Sequence, residues 1–167
     1  AQASAMHFFS MPEKIKCQYD ISNAPRHSGY VGFAESGLYA DEASRLYEAY
    51  DIGLELPADD PDFLVGNIFY GPNTWPDSPE FKSDVYAYYE AVSELSILIT
   101  HTLETALELR TNSLTNKMKK PTAQLRMIHY PENEIRCRDV ASHTMMGAHT
   151  DYEFFTLLYQ TMPGLQT

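Results

Sequence analysis

Gly147-Ala-His-Thr-Asp-Tyr-Glu-Phe-Phe-Thr-Leu-Leu-Tyr-Gln160 is the stretch that decides how this chain reads. It sets an imidazole, His149, two residues before a carboxylate, Asp151. In a β-strand, residues i and i+2 point to the same face. One short strand here would aim a nitrogen and an oxygen donor at a single point. Residues 154–159, Phe-Phe-Thr-Leu-Leu-Tyr, form an apolar, aromatic-rich run of strand length, as expected of a buried strand. Met162-Pro-Gly-Leu165 then reads as a turn that starts another strand.

The doublet alone is weak, because a sequence of this composition contains one by chance in roughly a third of cases. Its surroundings sharpen it. An imidazole and a carboxylate, joined by a second distant His, make the facial triad of non-haem Fe(II) sites, which leaves coordination positions open.

Composition narrows the field. The 167 residues suit one domain or a piece of one, and a 44% hydrophobic content suffices for a core. Twelve basic against 23 acidic residues give a net charge of −11, which argues against nucleic acid and anionic membrane as partners. No run approaches the ~18 apolar residues of a membrane span. The N-terminus shows no secretory signal and no initiator Met, so the chain reads as trimmed. Cys17 and Cys137, only two and far apart, read as free thiols of a reducing, cytoplasmic compartment.

Residues 1–9 read as the tail of a helix and Pro12–Lys16 as a single turn. Gly29–Phe33 reads as a short strand, its aromatic pair in the core. Residues 57–79 hold five of the ten prolines and read as a long loop, with Trp75 anchoring it on the core. A long helix follows over 79–110, capped by Asp77 or Ser78 and opened by Pro79 and Glu80. Phe81, Val85, Tyr88, Val92, Leu95, Ile99, Leu103 and Leu107 mark its apolar stripe, which a sheet face would cover. His101 lies off that stripe and reads as surface. Ser113–Lys120 reads as a short helix whose Lys117, Lys119 and Lys120 form a solvated face. Leu125–Pro131 reads as a strand, turned at 132–134. His129 and Tyr130 alternate along it, so only one should face a pocket. His143, followed two residues on by Met145, reads as a loop residue.

The segment 147–166 resembles the metal-binding core of the 2-oxoglutarate/Fe(II)-dependent dioxygenases, in the branch that includes isopenicillin N synthase. His149-Thr-Asp151, Thr156-Leu-Leu-Tyr-Gln160 and Pro163-Gly-Leu-Gln166 carry the likeness. Further motifs agree: Phe8-Phe-Ser-Met-Pro-Glu-Lys14, Tyr47-Glu-Ala-Tyr-Asp-Ile-Gly53, Gly71-Pro-Asn-Thr-Trp-Pro76, and Leu125-Arg-Met-Ile-His-Tyr-Pro131.

The resemblance implies an α+β fold built on a double-stranded β-helix, or jelly roll, with a long backing helix. Residues 1–120 would form a mainly helical N-terminal region and 121–167 the first strands of the oxygenase core. It implies His149 and Asp151 as Fe(II) ligands, and Tyr130 beside 2-oxoglutarate. O2 and a small-molecule metabolite would be the other reactants, with hydroxylation, desaturation or ring formation as the outcome. Family members carry a distal His and an Arg-x-Ser tens of residues after the His-x-Asp. Neither follows Asp151 here, so the chain is expected to be a fragment, inactive by itself. The alternatives are a non-catalytic product that keeps part of the fold, and an oxidase that uses no 2-oxoglutarate.

Overall fold

Among the described residues three antiparallel strands form a sheet, in the order β1 (Gly29–Val31), β2 (Glu48–Gly53), β3 (Gln124–His129). In this computed structural model, residues 1–33, 47–131 and 149–163 are described. The expectations for Cys137, His143, Gly147, residues 132–134 and 164–166 lie outside them. Register places Tyr30 beside Tyr50 and Tyr50 beside Met127, so one sheet face carries apolar side chains from three strands.

That face meets α1 (Gln2–Phe9) and α4 (Pro79–Ala106). The core between them is largely aromatic: Phe8, Phe9, Tyr30, Tyr50, Ile52, Phe81, Val85 and Tyr89. Phe8 lies at its centre, with Tyr50, Phe81, Phe9, Tyr30 and Tyr19 at ring-centroid distances of 4.9 to 6.2 Å. Most of these contacts are tilted or edge-to-face, the geometry that the ring quadrupole favours.

The N-terminal turn expected at Pro12–Lys16 is α2 (Glu13–Lys16), with Pro12 at its N-cap. β2 was not expected as a strand. All six of its residues are buried, including Glu48 and Asp51. The proline-rich segment contains one short helix, α3 (Pro61–Leu64), capped by the Asp60 carboxylate. Elsewhere side chains satisfy the loop's backbone. Arg26 donates to the Leu54 carbonyl at 2.8 Å and to that of Gly71 at 2.7 Å. Asn73 donates to the Gly53 carbonyl at 2.9 Å, and Tyr50 to that of Thr74 at 2.8 Å. Gly53 must be small, because a Cβ there would come within 2.4 Å of the Arg26 guanidinium. Trp75 anchors the loop as expected: its indole donates to Glu55 and its ring meets Phe81 and Tyr86 edge-on.

α4 starts where the sequence places it. Ser78 Oγ accepts from the Phe81 amide at 3.2 Å and Pro79 opens the helix. At 28 residues it is about 42 Å long. It ends at Ala106, four residues short of expectation. The buried Glu104 carboxylate accepts backbone N–H bonds from Asn112, Leu114 and Thr115, and this folds the chain back. Glu108 and Asn112 take up positive φ to make the turn.

The apolar stripe is only partly covered. Of its expected members Phe81 and Val85 are buried, but Tyr88, Leu95 and Leu107 are exposed, and Tyr89 enters the core in place of Tyr88. The sheet and α1 cover the first turns of the helix. Beyond them its buried positions, Thr100 and Glu104, are polar. Among the described residues no helix is long and apolar enough to cross a membrane. Lys120 is not simply solvated: it pairs with Asp60 and Asp62 and sits 4.6 Å over the Tyr70 ring.

Candidate functional site

His149 and Asp151 meet. Nε2 of His149 stands 3.4 Å from Oδ1 of Asp151. The second carboxylate oxygen, Oδ2, accepts a 2.5 Å hydrogen bond from the Thr156 hydroxyl. The three residues form one small constellation within eight residues of chain.

The backbone that carries them differs from the expected strand. Residues 154–159 have no strand structure and five of the six are exposed. Tyr152 is 99% exposed, Phe154 65% and Leu158 63%. A strand needs a neighbour to take its N–H and C=O groups. No described strand runs beside this segment, so its ladder is unmade and its apolar side chains lie open. The His149 and Asp151 side chains are accordingly 28% and 50% exposed rather than enclosed.

The donor set nonetheless fits a metal. Two cis donors on one six-coordinate ion, each about 2.1 Å from it, lie about 3 Å apart. The observed imidazole–carboxylate separation is close to that. Among the described residues no group of three or more His, Cys, Asp or Glu could hold a metal.

Tyr130 and His129 leave the end of β3 in different directions. His129 Nδ1 lies 2.9 Å from Glu48 Oε1 and its ring stacks on Phe9, on the side of the helices. Tyr130 packs against Tyr47 with ring centroids 5.6 Å apart.

The sheet also holds two buried charge clusters that sequence reading missed. In the first, Lys16 Nζ lies 2.5 Å from Glu48 Oε2, and Tyr30 donates to the same oxygen at 2.6 Å. Burial pushes the Glu48 carboxyl up, but hydrogen bonds from Lys16, Tyr30 and His129 outweigh it and hold it below its ordinary value. In the second, Arg126 grips the fully buried Asp51 with two bonds of 2.8 and 2.7 Å, and His27 adds a contact at 3.4 Å. Burial raises the Asp51 carboxyl as well, and the Arg126 and His27 bonds again win. The one available signal was a pair of acids inside the strand-like run Tyr47-Glu-Ala-Tyr-Asp-Ile52.

Lys16→Met should cost about 3 kcal/mol, the low end for stranding one member of a buried ion pair, because Tyr30 and His129 still reach Glu48. The variant also carries a pH signature. A depressed folded-state pKa contributes stability above the unfolded value near 4.5, and that stability is lost as pH falls through the folded value. Without Lys16 the folded value rises toward the unfolded one, so Glu48 contributes less at neutral pH and the variant loses less further stability than wild type as pH falls below about 4.5. Urea unfolding between neutral pH and pH 4 measures both effects.

Comparison with known proteins gives the chain's relatives. Residues 1–78 match the family described as the N-terminal region of a non-haem dioxygenase in morphine synthesis. The chain is 32% identical over 168 residues to the 2-oxoglutarate-Fe(II) type oxidoreductase hxnY of Emericella nidulans, covering 98% of this chain and 48% of that one. It is 31% identical over 154 residues to the 2-oxoglutarate-dependent dioxygenase thnC of Trichoderma harzianum, covering 91% and 46%. A 2OG-Fe(II) oxygenase family protein from Caulobacter crescentus superposes with a TM-score of 0.64 at 26% identity, over 77% of this chain and 41% of that one. Neurospora crassa T7H, solved with alpha-KG and thymine, reaches a TM-score of 0.68 at 21% identity over 90% and 47%, a likeness of fold. This chain spans about half the length of the curated relatives it matches.

The chain belongs to the 2-oxoglutarate/Fe(II)-dependent dioxygenase superfamily. The α+β, jelly-roll class expected from the sequence is that of its structural neighbours, and the described residues carry three antiparallel strands and a long helix of it.

Proposed function

We propose that the protein is an oxygenase that uses Fe(II) and 2-oxoglutarate to oxidise a small molecule. His149 and Asp151 are two of its metal ligands, and Tyr130 borders the 2-oxoglutarate site. The observation that carries the reading is the approach of His149 Nε2 to Asp151 Oδ1 at 3.4 Å, in a chain whose curated relatives are 2-oxoglutarate-dependent dioxygenases.

Each residue has a physical task. His149 must be neutral to offer the Nε2 lone pair, and Asp151 must be ionised to offer Oδ1. Together they contribute one negative charge, which leaves a divalent ion partly uncompensated and attractive to an anionic co-substrate. Bound iron supplies the Lewis-acid and redox chemistry that side chains cannot. Tyr130 offers a phenol that can donate to a carboxylate and a ring that can pack against it. The acidic surface is consistent with an uncharged or cationic small molecule as substrate rather than a polyanion.

The test is stoichiometry in the full-length protein. Supplied anaerobically with Fe(II), then with O2 and 2-oxoglutarate, it should convert 2-oxoglutarate to succinate in an iron-dependent way. O2 uptake with no succinate would favour an oxidase that needs no 2-oxoglutarate. Failure to bind iron at all would overturn the proposal.

A further inference from the structure

We infer that Thr156 is a positioning residue that holds Asp151 in a one-oxygen binding pose, with Oδ1 turned toward His149. The inference rests on the metal-site reading above and deepens it. Among the described residues Asp151 has two polar contacts, and they divide its oxygens: Oδ1 faces His149 Nε2 at 3.4 Å, while Oδ2 accepts the Thr156 hydroxyl at 2.5 Å. A half-exposed carboxylate turns readily about its last torsion, which is broad and roughly two-fold. Such a group presents either oxygen, or both, to a cation. A charge-assisted O–H to carboxylate bond of this length is among the stronger hydrogen bonds and picks one orientation.

The consequence is chemical as well as geometric. Donation to Oδ2 occupies the oxygen that would otherwise close a two-oxygen chelate. Asp151 Oδ1 and His149 Nε2 would then be the two atoms this segment offers a metal ion, one oxygen and one nitrogen. The bond also fixes the loop. Residues 154–159 make no ladder, so the hydroxyl five residues downstream sets the Asp151 orientation that strand pairing does not supply. Thr156 touches no reacting atom. It acts through Asp151, as outer-shell partners of metal ligands do.

Co(II) binding to the full-length protein, without 2-oxoglutarate or substrate, tests this, because its visible spectrum reports coordination number and its titration gives affinity. Thr156→Val keeps the side-chain shape and removes the donor. It should weaken Co(II) about 10–100-fold, the usual cost of losing an outer-shell partner, and alter the Co(II) spectrum. Thr156→Ser should restore both. Thr156 is exposed, so neither variant should change metal-free thermal melting. Asp151→Ala separates the two claims. If Asp151→Ala leaves Co(II) affinity unchanged, the metal-site reading and this inference fall together. If Asp151→Ala weakens binding but Thr156→Val matches wild type in affinity and spectrum, the inference alone is overturned. Failure of Thr156→Ser to rescue would equally overturn it, since the role assigned is the hydroxyl's.

Discussion

His149→Ala should lower Fe(II) affinity by more than the ~10–100-fold that loss of an outer-shell partner costs, because it deletes a donor atom outright. The remaining Asp151 carboxylate would hold the ion by charge alone, in competition with water. Fold should survive. His149 belongs to no part of the aromatic core, and substitutions away from buried features stay within about 0.5 kcal/mol. Anaerobic calorimetric titration with Fe(II), paired with thermal melting of the metal-free protein, separates the two quantities. Unchanged affinity would mean that the His149–Asp151 contact is an ion pair and nothing more.

Phe8→Ala acts at the other end of the molecule, and its expected cost is about 3–5 kcal/mol, the range for emptying a buried aromatic site. Phe8 is 1% exposed and touches five other rings drawn from α1, the sheet, α4 and the turn at Tyr19. No neighbour can close the hole without leaving its own contacts, so little of the loss is recovered by collapse. Phe154→Ala is the control. Its ring is 65% exposed, and removing it should cost no more than about 0.5 kcal/mol. Equal effects in chemical denaturation would show that the core is not where the structure puts it.

Local signals were readable and distant ones were not. The start of α4 was legible because Ser78, Pro79 and Glu80 are adjacent cap residues. Its end was not, because Glu104 terminates it by reaching backbone groups eight to eleven residues on. β2 went unread for a related reason. Its two acids are tolerable inside a buried strand only because Lys16 lies 32 residues before Glu48 and Arg126 lies 75 residues after Asp51. The pairing of His149 with Asp151 follows from a two-residue spacing and needed no distant partner. The strand expected at 154–159 depends on one, and its apolar composition could not say whether a neighbour would be beside it. Thr156 stood in plain view as part of a motif, but its hydroxyl bond to Asp151 is a fact of conformation.

Arg26 has one more consequence. It clasps the carbonyls of Leu54 and Gly71, two points on either side of the proline-rich excursion, with a side chain that is 2% exposed. The apex of that excursion carries Leu64 and Val65 at 69% and 82% exposure, an easy target for a protease. A cut there would sever the polypeptide but not the clasp. The nicked protein should run as one species in gel filtration and part into two bands only in denaturant, so a clean band on a native column would say nothing about whether the chain is whole.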